Sequence, residues 1–385
     1  MSTPLQDRTV YVVGVGTHPY HRPDGRTYVS MGLDAMRSAL SDAQAAWLDL
    51  DALHVGSGKI GMAAAPTLAR FLGRTGLPVV QVESASASGS VAFRQAVLDV
   101  AGGTADLAMA VGVDKAEFPP DAVGKAEIAG LADGLVEFTT MFALKTQRFL
   151  HERSASVEDL AQVAVKNHAN GALNPFAQRQ KARTLEEVLA PPFISGPLTR
   201  LQCTPVGEGA AAVVVASEEG LRRIGVARSR CVKVLSSVHM SEPLRGQAPV
   251  DDGAASRAAS RAAYEEAGVG PDDVDVVELH DAFTVEEPVY LEAMGICRPG
   301  EALADLGRGD LDIGGRIAVS PSGGLLAMGH PVGPTGIGQV SEVVRQLRAE
   351  AEGRQHPGAR TALTQMVGVG GVCTIHLLQS AAARD

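Results

Sequence analysis

Apolar residues fall in short blocks along the chain, and their spacing alternates between two periods. Residues 10–14, 52–55, 79–82 and 105–113 are compact runs of β-branched and small apolar side chains, as in strands buried on both faces. Between them, residues 31–47 carry Leu33, Met36, Leu40 and Ala43 at helical spacing, and residues 63–72 and 88–101 repeat that period. The succession reads βαβαβ and predicts a mostly parallel sheet. From Asp114 to Thr199 the pattern turns polar and is punctuated by Asn174-Pro175 and Pro191-Pro192, with helical pieces at 141–153 and 157–170. This stretch reads as an insertion lying over the sheet. Strand-like runs at 209–216, 232–237 and 274–279, and a helix at 254–267, restart the α/β rhythm and carry it through to a last strand at 374–378. Two similar halves with a lid between them account for the whole pattern.

A chain of 385 residues exceeds one ordinary core and suits either two domains or one large duplicated α/β unit. Only 4% of residues are aromatic against 45% hydrophobic, which favours tightly packed layers over an aromatic-lined docking surface. A net charge of −10 argues against nucleic acid as the main partner, because phosphate backbones call for a basic surface. No apolar run reaches the roughly 18–20 residues that span a bilayer, and residues 1–8 lack a signal-peptide core, so a soluble, cytoplasmic protein without a membrane partner is expected. Cys203, Cys231, Cys297 and Cys373 are scattered without CxxC spacing. They suggest reduced structural thiols rather than a disulfide framework, and no metal site is expected.

Four segments carry candidate chemistry. Residues 79–90 run from a strand into a small-residue turn around Ser86 that opens a helix, a place where backbone N–H groups and the helix dipole favour developing negative charge. Residues 278–284 deliver His280 to the end of a strand, where sites in α/β sheets form. Residues 320–336 hold five glycines around His330 and then become a helix near Ile337. Residues 365–374 form a glycine turn with N–H groups at Gly370 and Gly371, feeding a final strand that contains Cys373. A dinucleotide site is disfavoured, since Gly14-Val-Gly16 lacks the third glycine and the downstream acid.

In order and spacing these segments resemble the thiolase superfamily, most closely its sterol-carrier-protein-type and archaeal-type branches. The resemblance rests on Glu83-Ser-Ala-Ser-Ala-Ser-Gly-Ser90, Cys203-Thr-Pro-Val-Gly-Glu-Gly209, His280-Asp-Ala-Phe283, Gly329-His-Pro-Val-Gly-Pro-Thr-Gly336 and the terminal glycine turn, across nearly the whole chain. It implies a duplicated five-layer α-β-α-β-α fold with an inserted loop domain at about 114–200, an N-terminal half at 1–230 and a C-terminal half at 231–385. It also implies a homodimer, expected to join through the N-terminal half by continuation at strand 105–113. The implied activity is acyl-CoA C-acyl transfer, with acyl-CoA and coenzyme A as substrates and no bound cofactor. Position 86 would be the acylated nucleophile, His330 its base and His280 an oxyanion donor, with a second oxyanion hole from the N–H of residue 86 and of Gly370 or Gly371. Ser322, Gly323, Gly324 and Phe283 would contact substrate, with coenzyme A phosphates beside Arg179 or Lys181.

Two positions depart from that family pattern. Ser86 stands where the family carries cysteine, and Ala282 stands where the sterol-carrier branch often has a cysteine acid/base. A serine hydroxyl is harder to ionise than a thiol and forms a more stable ester. Three explanations stay open: an engineered Cys-to-Ser replacement in a thiolase, a natural retro-aldolase acting on a β-hydroxyacyl-CoA, or a non-catalytic binding subunit partnered with a small zinc-ribbon and OB-fold protein.

Overall fold

Strand β1 (Val10–His21) shows how the layers arise from alternation: Val10 and Val12 enter one core while Tyr11 and Val13 enter another. The computed structural model describes residues 4–116, 138–242, 250–369 and 371–381. Four more strands belong to the first half of the chain: β2 (Ala52–Gly56), β3 (Val79–Val82), β4 (Leu107–Asp114) and β5 (Glu208–Ala216). Five follow: β6 (Val232–Ser241), β7 (Val276–Glu278), β8 (Ala318–Val319), β9 (Thr361–Gly368) and β10 (Val372–Ser380). All ten form one sheet in the order β8-β7-β9-β10-β6-β1-β5-β4-β2-β3. Reading outward from the central β6/β1 pair, each strand meets its counterpart five numbers away, so the two strand sets mirror each other.

The pairing is mixed, which corrects the expectation of a mostly parallel sheet. β2 pairs in parallel with β3 and β4, and β7 with β8 and β9, but the five central pairings are antiparallel. The apolar runs misled because burial on both faces comes here from helices on both sides, whatever the strand direction. On β4, Leu107, Met109, Val111 and Val113 pack with helix α1 (Tyr28–Asp42) and α2 (Ala64–Leu72), whereas Ala108 and Ala110 face α3 (Ser88–Ala101) and α9 (Thr335–Leu347). In the second strand set Val276, Ala362 and Leu378 face the same central pair of helices. Val277, Leu363 and Leu377 face outward, to a core shared with α6 (Ala254–Ala267), α7 (Glu286–Ala293) and α8 (Ala302–Gly307). Helices α3 and α9 therefore form the middle of five layers, and α9 is buried on nearly every side.

The insertion supplies α4 (Phe138–Arg153), α5 (Val157–Ala172) and a small ribbon of Phe193–Ser195 with Leu198–Thr199. Its residues 117–137 lie outside the described residues. The insertion is anchored over the second strand set: Lys166 of α5, buried, reaches Glu287 at 3.1 Å and the Val319 carbonyl at 2.9 Å. The helix expected at 31–47 stops at Asp42, with Gln44 in the left-handed region. Strand 105–113, expected to continue a sheet across an interface, is enclosed by β5 and β2. The free edge of that half is β3, where Val80 is 43% exposed. No helix among the described residues is long and apolar enough to cross a membrane.

Candidate active site

Residues 83–87 make the turn between β3 and α3. Ala85 there is held at φ 48°, a strained conformation for a residue with a Cβ, and Ala85–Ala87 form a single 3-10 turn. Ser88 locks it: its Oγ accepts from the Ser84 N–H at 2.9 Å and donates to the Ala85 carbonyl at 2.6 Å, while the Glu83 carboxylate accepts from the Ala85 N–H at 2.6 Å. With Ser88 occupied by the turn, Ser86 is free for another partner. Its Oγ lies 2.9 Å from Nε2 of His330, 244 residues away.

That approach depends on missing side chains. A Cβ on Gly89 of α3 or on Gly112 of β4 would overlap the Gly333 carbonyl, and one on Gly336 would overlap Ser90. The N-termini of the two central helices thus meet backbone to backbone. Gly333 N–H donates to Asp114 at 2.7 Å, and the same carboxylate accepts at 2.8 Å from Ser57 Oγ, Gly58 N–H and Lys59 N–H. Burial outweighs these four donors and pushes Asp114 up to about 6. His330 Nδ1 lies 2.8 Å from Thr335 Oγ1. The geometry fits an Nδ1–H donated to the threonine, leaving the Nε2 lone pair to accept from Ser86. Desolvation, then the neighbouring His280 and Lys59, hold His330 well below the usual histidine range, so the ring is neutral at pH 7. A neutral imidazole beside a hydroxyl is a general base in position.

His280 follows the end of β7, and its N–H donates to Gln365 Oε1 of β9 at 2.8 Å. Its ring meets His330 edge to face, with centroids 5.2 Å apart. Nδ1 is 2.9 Å from Glu286 Oε1, a buried carboxylate that also accepts from the Phe283 N–H at 3.0 Å and the Tyr290 hydroxyl at 3.1 Å. Sequence reasoning missed Glu286 and Thr335. The signal for the first was two adjacent acids, Glu286-Glu287, directly after an apolar motif. Beneath the site Asp281 accepts from Asn167, Ser320 and the Leu325 N–H. Glu278 accepts from the N–H and hydroxyl of Ser322, and burial, reinforced by Glu342 and Asp281, pushes its carboxyl up to about 8.

The remaining expected residues fall in different places. The β9–β10 hairpin does reach the site, since a Cβ on Gly368 would stand 2.5 Å from the Ser84 carbonyl; Gly371 is in its turn, and Gly370 lies outside the described residues. Phe283 stacks on Phe142, centroids 4.2 Å apart, and Phe142 in turn lines a cavity of about 190 Å³ with Glu286, Tyr290 and charged side chains such as Lys145 and Asp252. Ser322, Gly323 and Gly324 are buried. Added side chains there would strike Gly171 and Asp281, so these glycines serve packing of the turn against α5. Arg179 is spent on the carbonyls of Cys203, Leu326 and Arg200, and Lys181 is paired with Glu187, which removes Arg179 as a phosphate ligand. All four cysteines are free and buried, with the Cys373 and Cys203 thiols pushed up to about 12 by desolvation. Away from the site, His21, Asp24 and Glu208 bring ligand-type atoms within 4.8 Å of one another, but Glu208 is already paired with Lys115.

Comparison with known proteins places this geometry in a family. Residues 244–378 match the family described as Thiolase C-terminal domain-like, and residues 6–134 match the Beta-ketoacyl synthase, N-terminal domain. The chain is 36% identical to benzoylsuccinyl-CoA thiolase subunit BbsB of Thauera aromatica, covering 94% of this chain and 96% of that one. It is 32% identical to human sterol carrier protein 2, covering 97% of this chain and 72% of the other. Among solved structures, the Ltp2-ChsH2(DUF35) aldolase superposes with a TM-score of 0.85 at 23% identity, over 98% of this chain and 99% of that chain. Human mitochondrial 3-ketoacyl-CoA thiolase in complex with CoA gives 0.74 at 19% identity, over 97% and 98%. These two share its fold, and with the identity to its relatives along nearly its full length they make this chain a member of the thiolase superfamily.

Proposed function

We propose that the protein is a thiolase-type acyl-CoA C-acyltransferase that makes or cleaves a 3-oxoacyl-CoA, with Ser86 in the nucleophile position. The observation that carries this reading is the 2.9 Å contact between Ser86 Oγ and a neutral His330 Nε2. In the cleavage direction His330 takes the hydroxyl proton as Oγ bonds to the 3-oxo carbon. The C2–C3 bond then breaks, its electrons pass to C2 as the enolate of a shortened acyl-CoA, and that carbon collects a proton. The coenzyme A thiol attacks the resulting ester, its proton making good the one delivered to C2, and Ser86 leaves with its proton returned by His330. The N–H groups of Ser86 and Gly371 would receive the tetrahedral oxyanion. Coenzyme A is then a substrate, and no resident cofactor is needed.

Two assembly expectations belong to the same reading. A homodimer would use the free edge of β3, flanked by the exposed Met62 and Phe71. A small zinc-ribbon and OB-fold partner is favoured by the similar relative being itself named a subunit. The cytoplasm is the proposed location.

A retro-aldol reading draws on a separate observation. Ala282 and Ser86 leave the two histidines as the titratable groups facing each other, and a base with a donor suffices to cleave a β-hydroxyacyl-CoA. The two are separated by assaying thiolysis and retro-aldol cleavage on one acyl-CoA panel with wild type and Ser86→Cys. A disabled thiolase gains thiolysis by several orders of magnitude on this replacement. Retro-aldol turnover that the replacement leaves intact, with no thiolysis and no acyl-enzyme in mass spectrometry, overturns the acyltransferase reading.

A further inference from the structure

Any carbon–carbon chemistry on an acyl-CoA moves a proton at the α-carbon, and the reading above leaves that proton without an owner. His330 is committed on both nitrogens, to Ser86 and to Thr335. Ala282 has nothing to titrate. Cys203, whose backbone bridges to Phe283, turns its thiol to the Thr199 carbonyl at 3.3 Å.

We propose that His280 moves the α-proton and that Glu286 is the positioning residue that enables it, a division of labour that rests on the acyl-CoA reading of this site. Glu286 is buried at the start of α7, and its donors are the Phe283 amide, the Tyr290 hydroxyl and the His280 ring. Two are neutral, so the imidazole is the group among them able to balance the carboxylate when it takes up a proton. With Nδ1–H donated to Glu286, Nε2 is the nitrogen left for substrate, as a proton acceptor in the resting site and not as the oxyanion donor that the family resemblance implies. The step balances without another reactant: Nε2 takes the α-proton, the C–H electrons become the enolate, and the imidazolium faces the Glu286 carboxylate until the proton returns to carbon. The other polar groups around His280 are Gln365, Asp281 and His330.

The test is exchange of the α-hydrogens of acetyl-CoA and propionyl-CoA in D2O, followed by NMR. Glu286→Gln still accepts from Nδ1–H but carries no charge. It is expected to slow exchange on the order of 100-fold, to move the acidic limb of the exchange profile to lower pH, and to leave thioester affinity near wild type, while the melting temperature falls because the amide NH2 must face one of the donors on Glu286. A purely structural role would lower affinity and leave the limb in place, which overturns the proposal. Wild-type exchange rates in the Gln variant, or absence of exchange by the wild type with both thioesters, also overturn it. Exchange breaks no carbon–carbon bond, so it reads the Glu286–His280 pair whether or not Ser86→Cys gains thiolysis. Gain of thiolysis with unchanged exchange in Glu286→Gln sinks this proposal alone.

Discussion

The two strand sets share one order and differ in what they bury. In the first, the fully enclosed positions of β1, β2, β4 and β5 are mostly Val, Ala, Leu and Met, and the buried carboxylates Asp114 and Glu208 sit at strand ends. In the second, Glu278, Asp281, Glu286, Glu287 and Glu342 lie buried on or beside the strands, with Lys166 and Arg354 among them. The turn before the central helix differs in the same sense. Between β3 and α3 it is the tight 83–87 turn that presents Ser86, and between β8 and α9 it is the long 320–334 loop that presents His330. One half of a repeated plan supplies a rigid turn and its hydroxyl, while the other supplies proton carriers and the buried charge around them. Repetition of backbone therefore does not imply repetition of chemistry.

The sharpest way to break this division is His330→Ala, which removes the base contributed by the second half while leaving the Ser86 turn intact. Turnover of the best substrate from the panel should fall by about 10²–10⁴-fold, and a smaller loss in steady-state kinetics would show that Ser86 finds its base elsewhere. Next comes Arg354→Met, which strands the buried Glu342 that Arg354 holds through three contacts of 2.9–3.1 Å. Its cost should be about 3–5 kcal/mol in urea unfolding. The half-exposed Arg223–Asp51 pair of the first half should contribute no more than about 1 kcal/mol on the same scale.

Gly336→Ala tests the seam between the halves. The new methyl overlaps Ser90, so a loss of about 1–3 kcal/mol is expected together with slower turnover as His330 moves off Ser86. Gly61→Ala, which meets nothing within 4 Å, should change stability by less than about 0.5 kcal/mol.

A last test lies in pH dependence, where two groups of the second half act with opposite signs. Glu278 is protonated in the fold up to about 8 against an ordinary value of 4.5, so the stability that it contributes is complete below that ordinary value and is lost as pH rises through about 8. His330 is held neutral below its ordinary 6.5, so the unfolded chain takes up the proton first and stability falls as pH drops below that value. Glu278→Gln should flatten the alkaline side of a plot of urea midpoint against pH and leave the acidic side unchanged.

Legibility in the sequence followed the same division. Strand Val79–Val82 and helix Ser88–Ala101 were readable to the residue, as was Ala254–Ala267, because each is a local period bounded by small residues. Ser86, His280 and His330 were readable as motif positions, and the fold brings them together. Strand β9 was not, because Thr364, Gln365 and the glycines that follow interrupt its apolar run, although Thr364 and Gln365 are buried. The contacts that hold the Ser86 and His330 segments against each other were hidden for a different reason: Asp114 meets Gly333, and Gly89 meets the Gly333 carbonyl, across separations that no local window spans. At Gly323 and Gly324 the packing against Gly171 and Asp281 was not legible, because glycines needed for close packing and glycines needed for a ligand look alike in a string of letters.

The 244 residues between Ser86 and His330 also set a timetable. At ribosomal rates of about 5–20 residues per second, the Ser86 turn leaves the exit tunnel roughly 10–50 s before His330. Until α9 docks against α3, the Ser86 hydroxyl has no acceptor for its proton and is an ordinary alcohol. On the acyl-transfer reading proposed above, a nascent or truncated chain that lacks α9 would be silent toward thioesters, because Ser86 would have no His330 beside it.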